Sequence, residues 1–197
     1  MSQAQHVTGE IMRLRPVVAG DAAAFLAGAQ DPEVVQQISG TLPASLEQAQ
    51  TWAESVARDP RRLDFAITSL DDDAMIGEIV LDELDLEARR ARLHMWMLPG
   101  SRGRGYGREA IYRVLELAFE PTPGGLGLHR VGLMVPSLNP RARSLYESFG
   151  FRDEGRLRDY FCDGDAFTDA VVMGLLEQEF EAEYGMFTPH FASSPAH

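Results

Sequence analysis

Arg102-Gly103-Arg104-Gly105-Tyr106-Gly107 stands between a strand-like run, Ala91 to Leu98, and a run of helical period that reaches Phe119. Pro99-Gly100 closes the strand, and Gly107, Ala110, Ile111, Val114 and Ala118 share one face of the helix. A turn of this kind points successive N–H groups, and the positive end of a helix, at one place. An anion belongs there. Glycines at alternate positions let the backbone approach a diphosphate without a Cβ in the way, and Arg102, Arg104 and Arg108 add charge nearby. Two other phosphate-binding patterns fail on chemistry. Gly100 and Gly105 half meet the P-loop spacing, but Tyr106-Gly107 stands where lysine and a hydroxyl are required. A dinucleotide fold wants a carboxylate about 20 residues on, and no Asp or Glu occurs from Pro121 to Tyr146.

Outward from this loop, period-2 alternation predicts strands at Ile11 to Pro16, Asp64 to Thr68, Met75 to Leu81 and Ala91 to Leu98, the middle pair joined by the acidic turn Asp71 to Asp73. Helices are expected over Asp21 to Gln30 and over Ser45 to Asp59, the second opened by a Ser45/Gln48 capping box. Between them, Asp31-Pro32 and Gly40 to Pro43 mark a loop or short helix. Glu109 and Arg113 form an i,i+4 pair expected on the outside of the long helix. Beyond the Pro/Gly loop Pro121 to Gly127 come a strand (Arg130 to Val135), a helix (Asn139 to Phe149) and two strands (Phe151 to Tyr160, Phe167 to Leu176). Asn139-Pro140 is a cap followed by proline at the first helical position, and Gly150 is the glycine past the helix end.

Arg102, Gly105 and Gly107 after Trp96-Met97-Leu98-Pro99 resemble the acetyl-CoA signature Arg-x-x-Gly-x-Gly of the GNAT superfamily. Leu138 to Phe151 is similar to that superfamily's Asn-x-x-Ala-x-x-Leu-Tyr-x-x-x-Gly-Phe segment, through Asn139, Ala142, Leu145, Tyr146, Gly150 and Phe151. The resemblance covers Ile11 to Glu177, and Glu154-Gly155, Leu157-Arg158, Asp163-Gly164 and Asp169 resemble the branch that acetylates N-terminal amines of ribosomal proteins. That branch also includes enzymes for antibiotics, polyamines and free amino acids. The resemblance implies one α/β domain over 11–177, with tails at 1–10 and 181–197. Its mostly antiparallel mixed sheet would be flanked by helices and splayed between the strands near 91–98 and 130–135.

It also implies N-acetyl transfer from acetyl-CoA to a primary amine by direct attack in a ternary complex. Cofactor contacts would come from Met97, Leu98, Arg102, Gly103, Arg104, Gly105, Tyr106, Gly107, Arg108 and Asn139, with a backbone N–H near Met97 facing the thioester carbonyl. Tyr146 occupies the family's general-acid position. The glutamate that relatives carry on the strand before the loop is matched here by Arg92, which accepts no proton at neutral pH. His94, Glu78 and Glu83 are the candidate bases, with Asp82 beside them. The missing glutamate keeps open a second reading, a non-catalytic acyl-CoA sensor or scaffold of the same fold.

Bulk properties agree with one domain. The chain has 197 residues, 45% hydrophobic, and holds no run of about 18 apolar residues. Without the basic start and apolar run of a signal peptide, a cytoplasmic location is expected. Cys162 stands alone, and read for packing it is a partly buried small side chain; the histidines lack paired ligand spacing, so no metal is implied. A net charge of −12, with acidic segments Asp71 to Asp73 and Asp82 to Glu87, favours a cationic amine or peptide N-terminus and disfavours nucleic acid and anionic membranes. All 18 basic residues are arginine, so phosphate must be held by guanidinium forks or backbone N–H groups. Family members are frequently dimers, which makes a homodimer the state implied.

Overall fold

The computed structural model describes residues 6–35, 43–56 and 58–185. Eight strands form one sheet: β1 (Val7–Thr8), β2 (Met12–Pro16), β3 (Leu63–Ser69), β4 (Met75–Asp85), β5 (Arg90–Met97), β6 (Arg130–Pro136), β7 (Arg152–Asp163) and β8 (Ala166–Leu176). Their order is β1-β2-β3-β4-β5-β6-β8-β7. Every neighbouring pair is antiparallel except β5 and β6, which run parallel. A parallel pair needs a crossover, and α4 (Tyr106–Phe119) supplies it. The anion loop therefore lies at the end of β5, beside the single parallel joint.

Strand alternation divides the interior in two. On one face Leu14, Phe65, Ile67, Ile79, Leu81, Leu93 and Met97 pack with Ile111, Val114 and Leu115 of α4, Tyr146 and Phe149 from the α5 region (Pro140–Glu147) and Phe180 of α6 (Glu177–Tyr184). On the other, Ala66, Met75 and Trp96 pack with Phe25 of α1 (Ala22–Ala29), Val34 of α2 (Pro32–Val35) and Ala49 and Ala53 of α3 (Leu46–Val56). The capping box is present in altered form: Ser45 Oγ accepts from Gln48 N–H at 3.2 Å, while Gln48 reaches back to Ala44 N–H at 2.9 Å. α3 ends at Val56, short of the expected Asp59, whose N–H instead closes a turn onto Val56.

Regular structure extends into both expected tails, 1–10 and 181–197. Val7–Thr8 pairs with β2, because a sheet edge offers unpaired backbone groups. At the other end Glu177–Tyr184 is helix, held by Phe180 and Tyr184 stacking with Tyr112, Phe119 and Phe149 at ring separations of 4.8–6.1 Å. The expected tail segments 1–5 and 186–197, and residues 40–42 of the expected loop, lie outside the described residues. The expected Glu109/Arg113 i,i+4 pair is present at 4.0 Å, but it is largely buried instead of lying on the outside; the Glu109 carboxylate also takes the N–H groups of Glu10 and Ile11 and fastens the β1–β2 turn to α4. Cys162 is exposed, not partly buried. No described helix is long and apolar enough to cross a membrane.

Candidate active site

β5 and β6 pair at Arg90/Arg130, Ala91/Val131 and Arg92/Gly132, and no further. Register fixes what faces the gap beyond. Leu98 N–H bonds Ile76 O, so Leu98, Trp96 and His94 spend their backbone groups on β4, while those of Met95 and Met97 point toward β6. On the far side Ser137 N–H bonds Asp169 O, which leaves Met134 and Pro136 facing the gap. Proline's missing N–H falls there, where it costs the β6–β8 ladder nothing. Met97 therefore offers an unpaired N–H into the gap. Leu98, expected beside it as a contact, has its N–H committed to β4.

The loop below the gap is made of donors. The N–H groups from Gly103 to Arg108 find no acceptor among the described residues, and the first helical bond is Glu109 N–H to Gly105 O. Gly105, at φ 91°, caps α4 in the left-handed region that a side chain resists, and no side chain caps the helix end by a hydrogen bond. Gly107 is needed for closeness: a Cβ there would lie 3.0 Å from Met95 Cε. Tyr106 packs its ring toward the core. Arg104 and Arg108 make no ion pair among the described residues, Arg108 instead donating to Ser148 Oγ and lying over Phe149. Arg141 joins them, its Nη2 3.6 Å from where a Cβ on Gly103 would stand. Arg141 was not singled out in the sequence; an unremarkable surface arginine on α5 becomes part of the site only when α5 packs beside the loop. Arg102 does the opposite, donating to Asp31 at 2.5 Å, Glu33 at 2.8 Å and Met97 O at 3.0 Å. Asn139 caps α5 through Ala142 N–H at 2.9 Å.

On the α1–α3 face, β4 and β5 set Glu78 beside Trp96, Val80 beside His94 and Asp82 beside Arg92. Glu78 is 3% exposed; its Oε2 accepts the Trp96 indole N–H at 2.7 Å, and its Oε1 is buried with no partner in the described structure. Burial, reinforced by the negative charge of Asp64, pushes its carboxyl up to about 8. His94 stands diagonally across, its side chain 37% exposed, with Nδ1 3.5 Å from Asp82 Oδ2. Burial lowers its pKa below the imidazole value, so it is neutral and able to accept a proton at neutral pH. Asp82 is held by Arg92 through a two-bond fork at 2.9 and 3.0 Å. Glu83 is exposed at the rim in a left-handed conformation (φ 50°), paired with Arg92 at 3.0 Å, apart from the buried group. Tyr146 lies on the opposite face, 6% exposed and edge-on to Phe151 at 5.7 Å; burial pushes its phenol up to about 12.

Comparisons with known proteins place this fold in a family. Residues 12–152 fit the family model described as an acetyltransferase (GNAT) domain. The chain belongs to the GNAT acetyltransferase family. The uncharacterized SPbeta prophage-derived N-acetyltransferase YokL of Bacillus subtilis (strain 168) is 26% identical over 179 residues, 90% of this chain and 97% of that one. YdaF of the same organism, provisionally named a ribosomal N-acetyltransferase, is 29% identical over 140 residues, 68% of this chain and 74% of that one. Among solved structures, spermidine N-acetyltransferase from Vibrio cholerae in complex with CoA and spermine superposes with a TM-score of 0.73 at 25% identity, covering 86% of this chain and 97% of that one. The protein is thus an acyl-CoA-dependent acetyltransferase. Its donor-rich loop and the free Met97 N–H suit such a co-substrate. No grouping of His, Cys, Asp and Glu that could hold a metal occurs among the described residues.

Proposed function

We propose that the enzyme moves the acetyl group of acetyl-CoA to a primary amine, by direct attack of the amine on the thioester in a ternary complex. The observation that carries this reading is the unzipped joint between β5 and β6, with an unpaired Met97 N–H on its edge and an unpaired row of N–H groups at its foot. The diphosphate sits on Gly103 to Arg108 with Arg104 and Arg141 at its flanks, and the pantetheine lies along Met95 and Met97. Met97 N–H then faces the carbonyl oxygen as negative charge develops on it.

The gap also lets chemistry reach the thioester from both faces of the sheet. His94, oriented by Asp82, takes the proton that the amine releases as its nitrogen bonds the carbonyl carbon. Glu78 is a poor base at pH 7, since it keeps its own proton to about 8; it holds Trp96 in place instead. As the carbon–sulfur bond breaks, Tyr146 donates its O–H to the sulfur. Complete transfer from a phenol of pKa about 12 to a free thiolate of about 8.5 is uphill by roughly 5 kcal/mol. Tyr146 therefore contributes a hydrogen bond that strengthens as charge moves onto sulfur in the same dry site.

For the acceptor, a cationic amine fits the net charge of −12 and the relative crystallised with spermine. The buried acids give less specificity than their number suggests, because Arg62 neutralises Asp64 and Arg92 neutralises Asp82. Thiol release from acetyl-CoA, followed with DTNB against polyamines, aminoglycosides, amino acids and basic or acidic N-terminal peptides, tests the proposal. Release with a cationic amine supports it. Tight acetyl-CoA binding with no release for any amine would replace it with the sensor reading.

A further inference from the structure

Arg102 opens the glycine motif, yet its side chain turns away from the anion loop. Nε donates to Met97 O at 3.0 Å, Nη1 to Glu33 Oε2 at 2.8 Å and Nη2 to Asp31 Oδ1 at 2.5 Å. A guanidinium aims its donors in one fixed plane, and two carboxylates neutralise this one. Charge for a phosphate must come from Arg104, Arg108 and Arg141.

The two carboxylates that accept from Arg102 belong to the other half of the site. Asp31 is the joint between α1 and α2: its N–H bonds Gly28 O at 3.0 Å, its carbonyl accepts Val35 N–H at 3.0 Å, and its Oδ1 also accepts Val34 N–H at 3.0 Å. α1 in turn rests on the acceptor face. Phe25 meets Trp96 and Trp52 edge-on at 5.7 and 4.5 Å, and Gly28 lies so close to Trp96 that a Cβ would stand 3.0 Å from its ring. Trp96 carries the contact on to Glu78. An unbroken series of bonds and packed rings thus joins the co-substrate loop to the group of residues facing the amine.

We propose that Arg102 is a positioning residue that ties the α1–α2 wall of the acceptor side to the diphosphate loop, so that filling the loop stiffens the wall. The inference rests on the co-substrate reading above. An anion drawing the N–H groups of Gly103 to Arg108 together restrains a loop otherwise loosened by its glycines. The rigid fork hands that restraint to Asp31 and Glu33. Such coupling is reciprocal in free energy: whatever packs against the wall raises affinity for the co-substrate by the same factor.

Hydrogen exchange of residues 22–35 with and without CoA tests this in the wild type, in Asp31→Asn/Glu33→Gln and in Arg102→Met. CoA is expected to slow exchange in the wild type by about fivefold or more, the lower end of typical couplings. In the paired variant CoA should bind within about threefold of wild type while the slowing disappears, and KM for the acceptor should rise more than kcat falls. Arg102→Met should reproduce the lost slowing if the paired variant does not fold. Slowing that survives the substitutions, or that is absent in a wild type shown by calorimetry to hold CoA, would overturn the coupling alone. A wild type that binds no CoA would overturn the coupling and the underlying reading together.

Discussion

The proposed co-substrate side of the site offers backbone groups, and the proposed acceptor side offers side chains. On the first, the N–H groups of Met97 and of Gly103 to Arg108 are left without acceptors among the described residues. On the second, Glu78, His94, Asp82, Arg92, Arg62 and Asp64 are crowded onto one sheet face and answer one another's charges. A backbone site serves one unchanging ligand part. A side-chain site can be rewritten residue by residue, which suits a family whose acceptors differ.

The largest expected effect is on the backbone side. Gly105→Glu puts a β-carbon where φ is 91° and a carboxylate where the diphosphate lies, and should weaken acetyl-CoA binding by about 10³-fold, roughly 4 kcal/mol. Calorimetry on the folded variant checks it, and unchanged affinity would remove the contrast between the two halves altogether. Next comes the phenol proposed to meet the leaving sulfur from the α4 face. Tyr146→Phe keeps the packing on Phe151 and should slow single-turnover acetyl transfer by about 10²-fold, the low end for acid catalysis given the raised phenol. A loss under about threefold would mean that solvent or the amine, not Tyr146, stabilises the charge that moves onto sulfur.

A smaller effect sharpens the acceptor side. The fold keeps Glu78 protonated to about pH 8, whereas the unfolded chain releases that proton near 4.5. The folded state therefore holds the extra proton between these values, and wild-type stability falls as pH rises through that window and levels off above it. Glu78→Gln copies the neutral acid and lacks this slope, so it should gain on the wild type by roughly 3 kcal/mol between pH 5 and pH 8. Urea unfolding at the two pH values reads the difference; parallel curves would mean that Glu78 is ionised and partnered in the fold. The smallest effect belongs to Arg141→Gln. Its exposed charge should be worth about threefold in CoA affinity at low salt and nothing measurable near 1 M. An equal loss at both salt concentrations would indicate a direct fork on phosphate.

Legibility followed the same division. The order of strands and helices and the glycine turn were readable in the sequence, because proline, glycine and alternating hydrophobicity act on the chain locally, whereas the splay between the strands near 91–98 and 130–135 was implied by the family resemblance. Asn139 capping α5 and Gly150 at φ 92° past its end are cases in point. Other features were out of reach. Glu109 looked like a helix-surface residue because its i,i+4 neighbour is local, but the N–H groups it binds arrive from Glu10 and Ile11. α6 resembled a tail until Phe180 and Tyr184 found Tyr112 and Phe149.

The sequence by itself determined the glycine turn whose N–H groups are proposed to hold an anion, since backbone donors at such a turn need only neighbours along the chain to be set in a row. Tertiary structure alone decided what Arg102, Glu78 and His94 do there. An arginine at the head of a phosphate motif became a strut because α1 and α2 bring Asp31 and Glu33 to it. A glutamate became a neutral acid because Trp96 and the α1–α3 layer exclude water from it, and a histidine stayed neutral beside Asp82. Charge state depends on what surrounds a group in space, and that is set by strand register and packing between segments far apart in the chain.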